Sequence, residues 1–179
     1  MKIDRIVAVA MSALLLMFLT WRPQLQAQSA QANAPSLQGS WDVSVTPNAI
    51  FLCGGPQVAP PPPPFTELAT YDAGGGLTET NTILNANSAT LIPGLPFNAS
   101  DGHGAWKKTG ATFRATFRKL VFDTSGNYIA NGDLQETIVI EPSNSASLSG
   151  SFNITLSFLN GAPAVCSSGS FEAVRIVAE

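Results

Sequence analysis

The sequence predicts an all-β protein in which an eight-stranded antiparallel up-and-down barrel follows an N-terminal signal peptide. Residues 147–158 alternate without interruption between Ser, Thr or Asn and Leu, Gly, Phe or Ile. An extended strand with that pattern has one polar and one apolar face. Seven further segments have strand patterns, and no part of 28–179 has a convincing helical period. Closure into a barrel hides the edges of such a meander, and a two-sheet sandwich is the alternative architecture.

The first residues have the order of parts of a secretory signal peptide. Lys2 and Arg5 precede an uncharged apolar run over 6–20, and small residues follow. We expect cleavage after Ala27, with Ala34 as the alternative position. The run is shorter than the roughly 18 to 20 apolar residues of a spanning helix. We therefore expect an exported protein, periplasmic or secreted, without a membrane span in its mature form.

The chain of 179 residues divides into a signal peptide (1–27), a disordered leader (28–37) and a β-barrel domain (38–179). Only 12% of the residues are charged and the net charge is -3, which excludes nucleic acid as a partner because binding it requires a concentrated basic face. Ser, Thr and Asn must supply much of the surface, and we expect a soluble monomer. With one His in the chain, no metal site and no cofactor are expected.

Eight segments are predicted to be strands, and turn or loop signals separate them. In the first, Trp41, Val43 and Val45 alternate with Ser and Asp. Glycines at 74–76 supply the positive φ angles of a tight hairpin between the second and third. The predicted strands are 39–46, 65–72, 77–83, 103–108, 112–122, 128–140, 147–158 and 166–177.

Two long connections interrupt this series. The loop 47–64 contains five consecutive prolines, which cannot donate to a strand ladder and favour an extended, stiff conformation. The segment 84–100 is rich in Asn, Pro and small residues and is predicted to be a second long loop. Cys53 in the first of these connections and Cys166 at the start of the last strand are the only cysteines, and in an oxidising compartment we expect them to form a disulfide.

The phase of the strand 112–122 decides the polarity of the barrel interior. Arg114 and Arg118 have the opposite parity to Phe113 and Phe117. If the Phe face lines the interior, both arginines face solvent, and Glu136 on the next strand is a surface partner for one of them. A bulge that reversed the phase would point both arginines inward and favour an anionic ligand.

Gly39-Ser40-Trp41 on the first strand resembles the Gly-x-Trp signature of lipocalin and calycin barrels. This resemblance implies that Trp41 packs at the closed end of the barrel and that Arg175 lies across its ring, both in structural roles. The layout of a Gly-rich hairpin followed by a strand with His103 and Trp106 is also similar to small exported bacterial proteins of unassigned function. The resemblance implies a lipocalin-like fold and no particular chemistry.

Three functions fit such a barrel. The first is binding of a small apolar or amphipathic molecule in a cavity above roughly 300 Å3. The second is an isomerase or cyclase that uses His103 or Glu136 as acid or base, which requires one of them to be buried in the cavity. The third is a filled barrel that acts as an interaction module through its Pro-rich loop.

We expect binding rather than catalysis, because Asp101 and His103 have no accompanying nucleophile motif. The predicted ligand-binding residues are Phe113, Phe117, Phe152, Ile154, Leu156, Phe158, Arg114 and Arg118.

Overall fold

Eleven strands and no helix are formed by the residues that the computed structural model describes, 36–82 and 96–177. No described segment is therefore a helix long and apolar enough to cross a membrane. The predicted signal peptide (1–27) and its cleavage positions lie outside the described residues. The strands are β1 (Gly39–Pro47), β2 (Ile50–Leu52), β3 (Gln57–Ala59), β4 (Phe65–Tyr71), β5 (Gly76–Asn81), β6 (Phe97–Ala99), β7 (Gly102–Thr109), β8 (Thr112–Asp123), β9 (Tyr128–Glu141), β10 (Asn144–Phe158) and β11 (Val165–Arg175).

Eight of these strands form a closed antiparallel barrel. β1, β4, β5, β7, β8, β9, β10 and β11 pair with their neighbours in chain order. β11 then pairs with β1, from Trp41 opposite Arg175 to Pro47 opposite Gly169. This pairing removes the free edges that a sandwich would keep. The predicted eight-stranded up-and-down barrel is confirmed, and each barrel strand overlaps its predicted segment.

The three remaining strands are short and lie outside the ring. β2 and β3 form a hairpin in the Pro-rich loop, and β2 pairs with β11 at Val165 and Cys166, beyond the point where β1 ends. β6 pairs with β8 near residues 121–123. The sequence predicted loops for both segments, because three residues are too few for an alternating pattern to be recognised.

A disulfide between Cys53 and Cys166 attaches the β2–β3 hairpin to the start of β11. The two Cα atoms are 5.0 Å apart, and 113 positions of sequence separate them. The predicted pairing of the two cysteines is therefore present. It holds the Pro-rich connection against the end of the barrel.

Alternating burial places the core inside the ring. In β10, Leu148, Phe152 and Leu156 are buried, whereas Ser151 and Asn153 are exposed, as the alternation of 147–158 predicts. One buried cluster surrounds Trp41, and a second lies beneath β2, β3 and β6. The second cluster consists of Ile50, Ala59, Phe97, Val121, Ala130, Leu156 and Val165.

Trp41 and Arg175 pack against each other where the start of β1 lies opposite the end of β11. The indole is fully buried, and its Nε1–H donates to the carbonyl oxygen of Leu37 at 2.9 Å. The Arg175 guanidinium lies 4.2 Å from the Trp41 ring centroid and donates to the carbonyl oxygens of Ser36 and Gln38. This is the arrangement expected from the Gly-x-Trp resemblance.

Two local details follow from this packing. Gly39 has a φ of +126°, and a Cβ at this position would lie 2.6 Å from Arg175 Nη1, so a side chain is excluded there. Leu37, which the sequence analysis assigned to the disordered leader, has no exposed surface and packs in the first cluster. The boundary at residue 37 is therefore corrected: Leu37 belongs to the folded domain because its side chain fills the space beside Trp41.

Candidate ligand site inside the barrel

A cavity lies inside the barrel between the two core clusters. Its volume is about 120 Å3, and it opens toward solvent. This is smaller than the roughly 300 Å3 expected for a ligand site, because large side chains fill much of the interior. Its apolar lining includes Val45, Ile50, Phe65, Phe97, Val121, Leu134, Phe152, Ile154, Leu156 and Phe171, with Pro62 of the Pro-rich loop. Its polar lining includes Glu67, Asn81, Lys119, Glu136 and Ser167.

The aromatic and aliphatic residues predicted to bind a ligand separate into two groups. Phe152, Ile154 and Leu156 line the cavity. Phe113 and Phe117 are buried in the cluster around Trp41 and do not line it. Phe158 is half-buried and packs against the second cluster, also away from the cavity wall.

Arg114 and Arg118 lie on the outer face of β8. Both are exposed, and Arg118 forms a two-point ion pair with Asp133 at 2.7 and 3.1 Å. The irregularity in the pairing of β8 with β9 falls after both arginines, between Val121 and Phe122, so it does not reverse their phase. The alternative of an interior arginine that binds an anion is therefore wrong, and Glu136 is not their surface partner.

His103 is also on the outside of the barrel. It is exposed on β7, opposite Arg118, and Asp101 beside it is exposed as well. Neither side chain lines the cavity. Of the two residues considered as acid or base, only Glu136 lies inside.

Four ionisable side chains from four strands are buried within the barrel. Glu67 is on β4, Glu79 on β5, Lys119 on β8 and Glu136 on β9, and each is 2–8% exposed. Burial of a charge is unfavourable unless it is paired or neutralised by a proton. The polar contacts among these groups therefore determine what the interior can hold.

Lys119 and Glu79 form a buried ion pair between Nζ and Oε2. The amide of Asn81 donates to the other carboxylate oxygen of Glu79 at 3.0 Å. Gly102 makes room for this group, because a Cβ there would lie 2.8 Å from Glu79 Oε2 and 2.6 Å from a ring carbon of Phe117. The only cation of the cluster is thus already engaged by one of its three carboxyl groups.

Glu136 accepts a hydrogen bond from the hydroxyl of Tyr71, with 3.2 Å between the oxygens. Burial raises the pKa of Glu136 to about 7, and the charge of Glu79 also raises it, whereas the Tyr71 hydrogen bond has the opposite effect. Burial raises the pKa of Tyr71 as well, so its hydroxyl keeps its proton near neutrality. Glu136 is therefore a carboxyl group able to gain or lose a proton near neutral pH.

Glu67 is a buried carboxyl group whose neighbours are also acidic. Burial raises its pKa well above the ordinary value, and the charges of Glu79 and Glu136 raise it further. Its side-chain hydrogen-bond neighbour is the carboxyl group of Glu79, and the charge of Lys119 acts in the opposite direction by lowering the pKa of Glu67. Two carboxylates have only acceptor atoms, so this contact requires a proton or a cation.

Of the four buried ionisable residues, only Glu136 was among the predicted candidates; Glu67, Glu79 and Lys119 were not. The alternation of the strands does indicate that these three side chains face inward. Glu67 has the phase of Phe65 and Tyr71 on β4, Glu79 that of Leu77 on β5, and Lys119 that of Phe117 and Val121 on β8. A charged residue in the apolar phase of three strands indicates a buried polar cluster.

Within residues 36–82 and 96–177, no group of three His, Cys, Asp or Glu side chains is placed to hold a metal ion. Comparison with protein-family models, with curated proteins and with solved structures gives no match for this chain. The geometry of the barrel and its cavity is therefore the basis for a functional assignment.

Proposed function

We propose that this chain is an exported, lipocalin-like barrel that binds a small apolar or amphipathic molecule in its cavity. The observation that carries the proposal is a cavity with largely apolar walls and a few convergent polar groups, which is typical of small-molecule sites. Arg175 over Trp41 supports the lipocalin-like assignment. The Cys53–Cys166 disulfide supports export to an oxidising compartment, periplasmic or extracellular.

The cavity volume limits the size of the ligand. A dry protein cavity of about 150 Å3 is known to hold a benzene molecule, and the present cavity is of similar size, about 120 Å3. The buried part of the ligand therefore has on the order of six non-hydrogen atoms. Burial of its apolar surface would contribute about 25 cal/mol per Å2.

Titration of the mature protein with 1-hexanol, followed by amide chemical shifts, tests this proposal. We expect saturable shifts at residues that line the cavity, such as Ile154 and Val121. Leu156→Trp should abolish them, because Leu156 lines the cavity and an indole there fills it. The matched control is Ser157→Trp, at the next position of the same strand, where the side chain is exposed. Absence of saturable shifts, or equal binding by Leu156→Trp, would contradict the proposal.

Proton transfer by Glu136 is the second candidate function, in an isomerase or cyclase of the small-barrel type. It is favoured by one observation: Glu136 lines the cavity, and its pKa of about 7 lies in the range useful for general acid–base chemistry. The test is exchange of the α-protons of cyclohexanone in D2O, measured by NMR. The candidate function predicts exchange faster than in buffer and its loss in Glu136→Gln, and it fails if the protein does not accelerate exchange.

A further inference from the structure

The polar groups of the cavity have an excess of carboxyl groups over cations. Among the described residues, Glu67, Glu79 and Glu136 are the buried acidic groups and Lys119 is the buried cation. Lys119 forms its ion pair with Glu79, and its charge also acts on Glu67. Glu67 and Glu136 form no ion pair with a described residue. Both line the cavity.

We propose that the ligand of this cavity is an organic ammonium ion with an apolar tail, held by Glu67 and Glu136. This inference depends on the proposed binding function and specifies the chemical class of its ligand. The ammonium group supplies N–H donors and a positive charge to the two carboxyl groups, while the tail lies against the apolar wall.

Hydrogen bonding supports a donor ligand. The side-chain hydrogen-bond neighbour of Glu67 is another carboxyl group, that of Glu79, and Glu136 accepts one hydrogen bond from the Tyr71 hydroxyl. A carboxylate has about four acceptor sites, and an ammonium group has three donors and no acceptor. An alcohol has one donor, and a carboxylate ligand has none.

Charge supports a cation over an anion. An anionic ligand would bring a further negative charge next to Glu67 and Glu136, and the arginines that could have balanced it, Arg114 and Arg118, are on the outer face. Among residues 36–82 and 96–177, the buried cation available to an anionic ligand is Lys119, which that ligand would have to share with Glu79. A cationic ligand instead compensates two buried acids.

The described residues favour an organic cation over a metal ion. None of their His, Cys, Asp and Glu side chains form a three-ligand group for a metal. The groups around the two carboxyl groups are largely apolar, including Phe65, Leu134 and Ile154. Such walls stabilise a hydrocarbon tail and offer no oxygen ligands to a hydrated ion.

A matched ligand series tests the inference. The mature protein is titrated at pH 7.5 with n-hexylamine, 1-hexanol and sodium hexanoate, which share one chain and differ in the head group. Charged hydrogen bonds are stronger than neutral ones, so we expect hexylamine to bind about tenfold more tightly than hexanol, with hexanoate the weakest. Affinity for hexylamine should increase from pH 5 to 8, as Glu136 loses its proton among Tyr71, Glu67, Glu79 and Lys119. Affinity for hexanol should change little.

Variants locate the effect. Glu136→Gln and Glu67→Gln should each reduce the preference for hexylamine over hexanol to near unity. Glu172→Gln, on the exposed face of β11, is the matched control and should keep it. Binding by hexanoate as tight as by hexylamine overturns the ammonium inference and leaves the proposed binding function standing. Failure of all three ligands to bind rejects both. The pH dependence of the unmodified protein decides the matter if a variant does not fold.

Discussion

Lys119 and Glu79 form an ion pair inside the barrel, and their side chains are 4% and 1% exposed. Removal of one partner leaves a charge buried without compensation, which typically costs about 3 to 5 kcal/mol. Lys119→Met should therefore lower the free energy of unfolding by this amount at pH 7, as measured by urea denaturation.

The double variant Lys119→Met/Glu79→Gln should recover a large part of the loss, because no unpaired charge remains at this position. Asp133→Asn provides a surface comparison. Its partner Arg118 is 57% exposed, and such pairs contribute only about 0 to 1 kcal/mol. If Lys119→Met and Asp133→Asn lowered the free energy of unfolding equally, the interior ion pair would not contribute more to stability than the surface pair.

Stability should decrease as pH rises from about 5 to 8. The pKa of Glu136 is about 7 in the folded protein, above its ordinary value of 4.5, so the folded state binds this proton more tightly than the unfolded chain. The contribution is complete below pH 4.5 and is lost as pH rises through 7, a change of about 3 kcal/mol for one group. Glu67, whose pKa is also raised, acts in the same direction.

Urea denaturation across this pH range measures the effect. Glu136→Gln should reduce the slope of stability against pH, because an amide does not titrate, and the exposed Glu172→Gln should leave the slope unchanged. A stability that increases between pH 5 and 8 would contradict the burial of these acids.

Arg175→Ala should destabilise the barrel by about 2 kcal/mol. The change removes the guanidinium over Trp41 and the hydrogen bonds to the carbonyl oxygens of Ser36 and Gln38. Thermal or urea unfolding measures the loss. The comparison variant is Arg114→Ala, an exposed arginine on β8, which should change stability by less than about 0.5 kcal/mol. Similar losses of stability from the two substitutions would show that the contacts of Arg175 with Trp41, Ser36 and Gln38 do not stabilise the barrel.

Replacement of both cysteines by serine should lower stability by about 2 to 4 kcal/mol, because the bridge closes a loop across 113 positions of sequence. We expect the β-sheet signal in circular dichroism to persist, since the ring closes through β1 and β11 rather than through the β2–β3 hairpin. Reduction of the native protein with dithiothreitol should reproduce the loss. Complete unfolding of the double variant in the absence of denaturant would show that the barrel cannot form without the disulfide, contrary to this expectation.

The barrel strands could be predicted because their alternation is long. Polar and apolar residues alternate from 147 to 158, and Leu148, Phe152 and Leu156 belong to the apolar set. These three side chains are buried, so the predicted inward face is observed. β2, β3 and β6 have three residues each, so no pattern could develop. Their strand conformation depends on pairing with β8, β11 and each other.

The polar cluster was harder to predict because it is assembled by closure. Glu67, Glu79, Lys119 and Glu136 come from four strands, and nothing local to any one of them identifies the others as neighbours. Parity indicates that each faces inward, but the opposite phase also contains apolar residues, such as Leu68 on β4 and Leu120 on β8. Both leucines are exposed, at 50% and 42%.

The pairing of β1 with β11 also sets the order of events when the chain folds. Gln38 and Arg175, which meet through a hydrogen bond, are 137 positions apart. The first strand therefore has no partner on one side until β11 has emerged, and contacts of such long range slow the search for the native state. Until then β1 presents an open edge to other chains, so chains in which β11 has not yet paired with β1 are the form of this protein most prone to aggregation.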